Sequence, residues 1–191
     1  MSYDISIVSQ TTRVPSWSEV LGGLPAEFGD ASLLTLQGGA VEPSEPLATD
    51  ECYVVGIDDV MSIGLTPMPF GSEDLPPDLA EFAPNLPADL RAEVATRWLE
   101  AGYDLALTST MGRTAYDPKL MAALAAALAT VVRGYVYVST PWRLGGTYLP
   151  RGVYSPAEFL TGVGFDILQG RESEQPIAPQ PPVPQIRPSA T

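Results

Sequence analysis

The stretch 103–139, YDLALTSTMGRTAYDPKLMAALAAALATVVRGYVYVS, decides the fold of this chain. Apolar and polar residues alternate over 103–108, and β-forming residues fill 134–139, so both segments are predicted to be strands. The segment between them has a helical pattern. A strand–helix–strand unit of this length is typical of a right-handed βαβ crossover, which would make the two strands parallel.

Two helices have clear predicted boundaries. The first spans 88–101, since apolar residues recur at helical spacing and Gly102 follows as a C-cap. The second opens at Asp117 as the N-cap, with Pro118 at the first helical position, and runs to Arg133. Its faces away from the leucines are mostly alanine, so we expect this helix to be buried on several sides.

The first half of the chain is predicted to be rich in strands. Strands are expected at 3–9, 32–36, 51–57 and 60–65, with one capped helical turn at 16–21. Proline is so frequent over 66–87 that no long regular element is expected there. The exception is a short turn at 78–82, for which Pro77 suits the first helical position.

Together these elements predict an α+β fold with a single domain over 1–170. We expect a mixed β-sheet with the two main helices packed on one face. Residues 171–191 form a proline-rich C-terminal tail with few large apolar residues, a composition typical of polyproline II or disordered segments. The 191 residues are 45% hydrophobic, which is enough for one sizeable core.

The charge distribution is uneven. The chain has 23 acidic and 10 basic residues, and 13 of the acidic residues fall within 42–100 beside only two arginines. Such a field repels phosphate backbones and anionic lipids, so neither direct nucleic-acid binding nor membrane binding is expected. It would attract a basic protein partner, although an acidic surface that only keeps the protein soluble remains an alternative.

The residue types needed for most catalysis are missing. There is no histidine, which removes Ser-His-Asp and Cys-His catalysis and the commonest transition-metal ligand. Cys52 lies in an apolar strand pattern and is expected to be a buried structural thiol. No phosphate-binding or dinucleotide-binding glycine motif is present, so we predict no catalytic residue, metal or cofactor. Asp58, Asp59 and Glu51 keep one alternative open, a metal-assisted hydrolase that uses carboxylates alone.

Two regions are predicted to contact a partner. The segment 142–154 is expected to be a loop whose aromatic and arginine side chains resemble interface hot spots, unless Trp142 and Tyr148 fold back onto the core. The acidic region would supply the attraction that steers the partner. The predicted partner-binding residues are Asp58, Asp59, Glu73, Asp74, Asp78, Glu81, Trp142, Arg143, Tyr148 and Arg151.

The cytoplasm is the expected location. The N-terminus has neither the basic region nor the long apolar region of a secretory signal. The longest apolar run, 120–132, is shorter than the roughly 20 residues that span a bilayer. A single cysteine cannot form an internal disulfide, as is usual for proteins of reducing compartments.

The opening residues MSYDI and the YDP-helix-GYVY run within 103–138 resemble small acidic bacterial toxin-immunity proteins. That resemblance implies a protein-binding module that inhibits a basic toxin or enzyme. The alternatives are a structural subunit of a phage particle or other large assembly, and the carboxylate-dependent hydrolase. No functional residue can be transferred from the resemblance.

Overall fold

The structure is a computed structural model that describes residues 4–57, 60–109, 117–144 and 147–165. The helices are α1 Trp17–Gly23, α2 Leu79–Phe82, α3 Ala88–Ala101, α4 Asp117–Val131 and α5 Pro156–Gly162, with a 3-10 turn at Ala26–Phe28. The strands are β1 Asp4–Val8, β2 Ser32–Thr35, β3 Tyr53–Ile57, β4 Val60–Pro69, β5 Tyr103–Ser109, β6 Tyr135–Val138, β7 Trp142–Leu144, β8 Thr147–Leu149 and β9 Gly152–Tyr154. The predicted tail, 171–191, lies outside the described residues.

Seven strands form one sheet in the order β2-β3-β4-β5-β1-β6-β9. Every neighbouring pair is antiparallel, so the α+β class is confirmed but the mixed sheet is wrong. β5 and β6 run parallel to each other, as a crossover requires, yet they do not pair. β1 lies between them and is antiparallel to both, because this apolar strand finds a partner on each side.

One face of the sheet is covered by α4. Ile5 and Ile7 of β1 and Leu105 and Leu107 of β5 are fully buried on this side. Residues 120–129 of α4 are all buried, since the sheet lies below the helix and α1 and α5 pack against it. The prediction that α4 is buried on several sides is therefore confirmed. The helix ends two residues before Arg133, which takes a left-handed φ of 52°.

The other face of the sheet carries α2 and α3, which form a separate apolar cluster with Val8, Tyr137 and Val153. The prediction that both main helices share one face is therefore wrong. Successive residues of a strand point to opposite faces of the sheet. β1, β6 and β9 have apolar side chains on both faces. Each face consequently has an apolar surface that a helix can cover.

β4 continues through Thr66, Pro67 and Pro69, where the proline density predicted no long element. The prolines are tolerated because β3 pairs with β4 only as far as Leu65. Beyond that point β4 is an edge strand on the β3 side, where a missing N–H breaks no ladder bond. The carbonyl of Pro67 does face that side, and it accepts a hydrogen bond from the Asp50 N–H at 2.8 Å.

The local predictions have mixed outcomes. The boundaries of α3 are confirmed, and Gly102 ends the helix with a φ of 75°. The turn at 78–82 forms as α2, but Asp78 caps it by accepting a hydrogen bond from the Ala80 N–H at 2.7 Å. Pro77 therefore precedes the cap instead of opening the helix. The predicted loop 142–154 contains three short strands, β7 to β9.

Candidate functional site

Residues 70–101, which we call the α2–α3 layer, are held on the sheet by stacked aromatic rings. The rings of Phe70 and Trp98 are nearly parallel, with centroids 4.0 Å apart. The ring centroid of Phe82 lies 5.4 Å from that of Trp98 and 4.8 Å from that of Tyr137 in β6. Rings at these distances attract each other beyond the burial of their area, so the layer has a defined position on the sheet.

A side-chain amide ties the same layer to the edge of the sheet. Asn85 donates to the carbonyl of Val153 at 2.6 Å and accepts from the Val153 N–H at 3.0 Å. The amide thus occupies the two backbone groups that the edge strand β9 directs away from β6. An edge strand whose backbone groups are occupied is protected against pairing with another chain.

The outer surface of the layer is acidic. Seven carboxylates are exposed: Glu73, Asp74, Asp78, Glu81, Asp89, Glu93 and Glu100. Two arginines oppose them, so the layer carries a net charge of −5. Arg91 is half-buried, and Arg97 lies 2.8 Å from Glu93. Four predicted partner-binding residues, Glu73, Asp74, Asp78 and Glu81, belong to this surface.

A patch of open sheet lies on the same face, where the layer does not reach; we call it the open strand surface. It comprises Thr66, Met68, Ala106 and Thr108, which share one face of β4 and β5 by their register, and Cys52, which directly precedes β3 and contacts Thr66. Within the described ranges all five remain at least partly exposed, and Met68 is 40% exposed. The surface is weakly polar, and Met68 at one end of it pairs with Asp104, which the layer covers.

Cys52 corrects one prediction, since its thiol is exposed and not buried. Tyr53 and Val55 of β3 point toward α4, so Cys52 must point to the opposite, open face. The hydroxyl of Thr66 lies 3.5 Å from its sulfur. The apolar character of its neighbours was a correct sign of a strand, but it did not reveal which face is covered.

Asp104 is an acidic residue that the sequence interpretation did not single out. It lies on β5, opposite Val8 of β1 and Met68 of β4, and is only 6% exposed. Burial raises the pKa of Asp104 to about 7. Hydrogen bonds from Ser6 and the Leu105 backbone favour the charged form and lower the pKa, but their effect is smaller than that of burial. Its Oδ1 has no hydrogen-bond partner. In an alternating strand pattern Asp104 takes a polar position, which usually faces water, so no signal in the sequence indicated its burial.

The aromatic segment divides into buried and exposed parts. Trp142 is 1% exposed and packs edge-on against Phe159 at 6.1 Å, so it belongs to the core and cannot anchor a partner on the surface. Tyr148 is 56% exposed, and Arg151 donates to the Tyr137 hydroxyl at 3.3 Å. The Arg143 side chain lies outside the described residues, as do Asp58 and Asp59.

The described ranges contain no group of three or more His, Cys, Asp or Glu side chains that could hold a metal ion. Glu51, the third carboxylate considered for a metal, accepts a hydrogen bond from the Tyr53 hydroxyl at 3.1 Å. In the same ranges no helix has the length and apolarity needed to cross a membrane.

Comparison with protein family models, with curated proteins and with solved structures finds no match to this chain. The fold therefore defines only a class of protein, a single α+β domain built on a seven-stranded antiparallel sheet, beside which β7 and β8 form a separate pair. Its two faces differ in cover and in charge, and the acidic face carries most of the described residues predicted to bind a partner.

Proposed function

We propose that this protein is a non-enzymatic binding module that docks a basic protein partner on its α2–α3 layer. The observation that carries the proposal is a net charge of −5 on a layer that aromatic stacking holds in place. Exposed carboxylates attract a basic protein over about a Debye length and speed its encounter. While the layer is closed on the sheet its carboxylates lie on a fixed surface, so little ordering cost remains when a partner docks on the closed layer.

The open strand surface would supply the apolar part of the same interface. Met68 and Ala106 offer apolar area, and Thr66 and Thr108 offer hydroxyl groups, all beside the acidic layer. A partner that contacts both regions would be attracted by charge and retained by burial of apolar area. This arrangement suits a protein inhibitor better than a freely exchanging electrostatic contact.

We extend the proposal to an immunity-type inhibitor, which would hold a basic toxin or enzyme in complex inside the producing cell. The support is the resemblance of 103–138 to immunity proteins and the acidic docking layer. We also propose a cytoplasmic location, since the single exposed thiol of Cys52 would stay reduced there.

Neutralising the layer tests the proposal. In the test variant Glu73, Asp74, Asp78 and Glu81 are replaced by their amides, which keep the hydrogen-bond acceptors at Asp74 and Asp78. The partner is the purified product of the adjacent gene, and association rates are measured at low and high salt. We expect the association rate at low salt to fall about tenfold or more, and the difference to shrink at high salt.

A control variant changes the same number of acidic residues outside the layer and outside the open strand surface: Glu27, Asp30, Glu42 and Glu45, all exposed, become amides. It removes the same net charge, so it should change the rate by less than about twofold if position matters. Equal effects of the two variants would contradict docking at the layer. Absence of any complex at micromolar concentration and low salt would contradict the binding function itself.

A further inference from the structure

We propose that the α2–α3 layer is a pH-dependent cover, released from the sheet when the buried carboxyl group of Asp104 ionises. This release is independent of the docking that we propose for the outer surface of the layer. Its test needs no partner, so its failure and the failure of the binding proposal can be told apart.

The geometry places Asp104 on the sheet face that the layer covers. Asp104 of β5 pairs with Val8 of β1, so their side chains point to the same face of the sheet. Val8 belongs to the apolar cluster of Phe82, Val94 and Trp98. Phe70, which stacks on Trp98, donates its N–H to the carbonyl of Gly102, two residues before Asp104. The carboxyl group therefore lies where the layer joins the sheet.

The surroundings supply too few hydrogen bonds for a carboxylate. Asp104 is 6% exposed and its Oδ1 lacks a hydrogen-bond partner, so one oxygen would carry its charge without compensation. The Ser6 hydroxyl and the Leu105 backbone N–H are the two donors that the described residues give the group. A buried charge that is not compensated is costly, whereas a protonated carboxyl group is tolerated.

No basic side chain in the described ranges offsets this cost. β4 has no charged residue, and on β1 the one charged residue is Asp4, which is also acidic. On α3, Arg97 lies against Glu93 and Gln10, and neither arginine is among the groups that act on Asp104. The exposed carboxylate of Asp74, in the segment before α2, acts on Asp104 and raises its pKa further.

Release of the layer would hydrate Asp104 and return its pKa toward the ordinary value of 3.8, from about 7 in the closed state. Since the open state then binds protons more weakly, the ratio of open to closed molecules rises with pH. The rise is at most about tenfold per pH unit between these two values, and it stops above the higher one. The layer is thus held best in acid and least well at neutral and alkaline pH.

Hydrogen exchange of the α3 amides measures this opening. The rate over 88–101 is compared with the same rate in Asp104→Asn at pH 5 and pH 8, so that the intrinsic pH dependence of exchange cancels. We expect the ratio of wild-type to variant rates to rise more than about tenfold between the two pH values. A ratio that stays constant within about twofold would overturn the proposal.

Three further variants and one direct measurement keep the result specific. Asp89→Asn removes an exposed carboxylate from α3 itself and should leave the profile unchanged. Asp74→Asn should move the transition to lower pH, and Ser6→Ala should move it to higher pH, because they remove the opposing influences on Asp104. If Asp104→Asn does not fold, carboxyl carbon NMR of the wild-type protein decides, and an Asp104 midpoint below pH 5 would overturn the proposal.

Discussion

The two faces of the sheet bury apolar residues in opposite ways. On the α4 face, leucine and isoleucine of the strands meet a helix made largely of alanine, and α1 and α5 enclose it further. On the other face, a few large aromatic rings hold a short, acidic layer over part of the sheet, and a carboxyl group is trapped beneath it. The first face is an apolar core of small and branched aliphatic side chains. The second face is held by fewer side chains, and we expect its stability to depend on charge through Asp104.

The largest effect should come from the ring at the centre of the aromatic cluster. Trp98→Ala removes a side chain that is 2% exposed and contacts Phe70, Phe82 and Tyr137. We expect the free energy of unfolding to fall by about 3–5 kcal/mol. Urea denaturation measures the loss, and a change below about 1 kcal/mol would mean that the layer contributes little to global stability, contrary to the comparison.

Stability should depend on pH through Asp104. Its pKa is about 7 in the folded protein and 3.8 ordinarily, so its contribution is fully retained below about pH 4 and is lost as the pH rises to 7. The difference in unfolding free energy between wild type and Asp104→Asn should therefore shift by up to about 4 kcal/mol from pH 4 to pH 8. Denaturation curves at both pH values check this. If the unfolding free energies of the two proteins changed equally with pH, Asp104 would not make the stability of the second face depend on pH.

Enlarging a side chain tests how tightly the α4 face is packed. Ala125 is fully buried in the middle of α4, and leucine is as good a helix former as most residues. Ala125→Leu should nevertheless cost about 1–3 kcal/mol because the added atoms have no space. Ala92→Leu on the exposed side of α3 is the matched control and should be close to neutral. Equal tolerance at both positions would show that the α4 face is not close-packed.

The smallest effect concerns the tie between the layer and β9. Asn85→Ala removes two hydrogen bonds to Val153, and we expect a loss of about 1 kcal/mol. For a chain of this size that corresponds to roughly 2–4 °C in Tm, which calorimetry resolves. Asn85→Asp keeps the acceptor for the Val153 N–H but places a carboxylate oxygen against the Val153 carbonyl oxygen, so at neutral pH its Tm should fall at least as far as that of Asn85→Ala. A Tm at the wild-type value in both variants would show that the two Asn85 hydrogen bonds do not stabilise the attachment of the layer to β9.

Much of the fold could be predicted because its local signals agree. Gly102 ends α3 at the predicted residue, and the alternation around Leu105 and Leu107 identified β5. The arrangement of the faces could not be predicted, since alternation tells which residues share a face and not which helix covers it. The extension of β4 through Pro67 was missed for a related reason, because the cost of a proline depends on whether a neighbouring strand needs its N–H.

The candidate site was predictable only where it is exposed. Glu73, Asp74, Asp78 and Glu81 were identified from their charge, which needs no knowledge of the fold. Asp104 and Trp142 depend on long-range packing: one is a carboxyl group in a polar strand position that a distant helix covers, and the other is an aromatic side chain in a glycine-rich segment that folds inward. Cys52 was misjudged because the sequence does not show that the sheet face to which it points stays exposed at that position.

The central position of β1 has a consequence for how the chain folds during synthesis. Ser6 pairs with Ala106 on one side and Tyr137 on the other, so β1 leaves the ribosome well before both of the strands with which it pairs. Contacts so distant along the chain slow folding and leave strand edges unprotected in the meantime. Nascent chains that stop before β6 should therefore depend on chaperones.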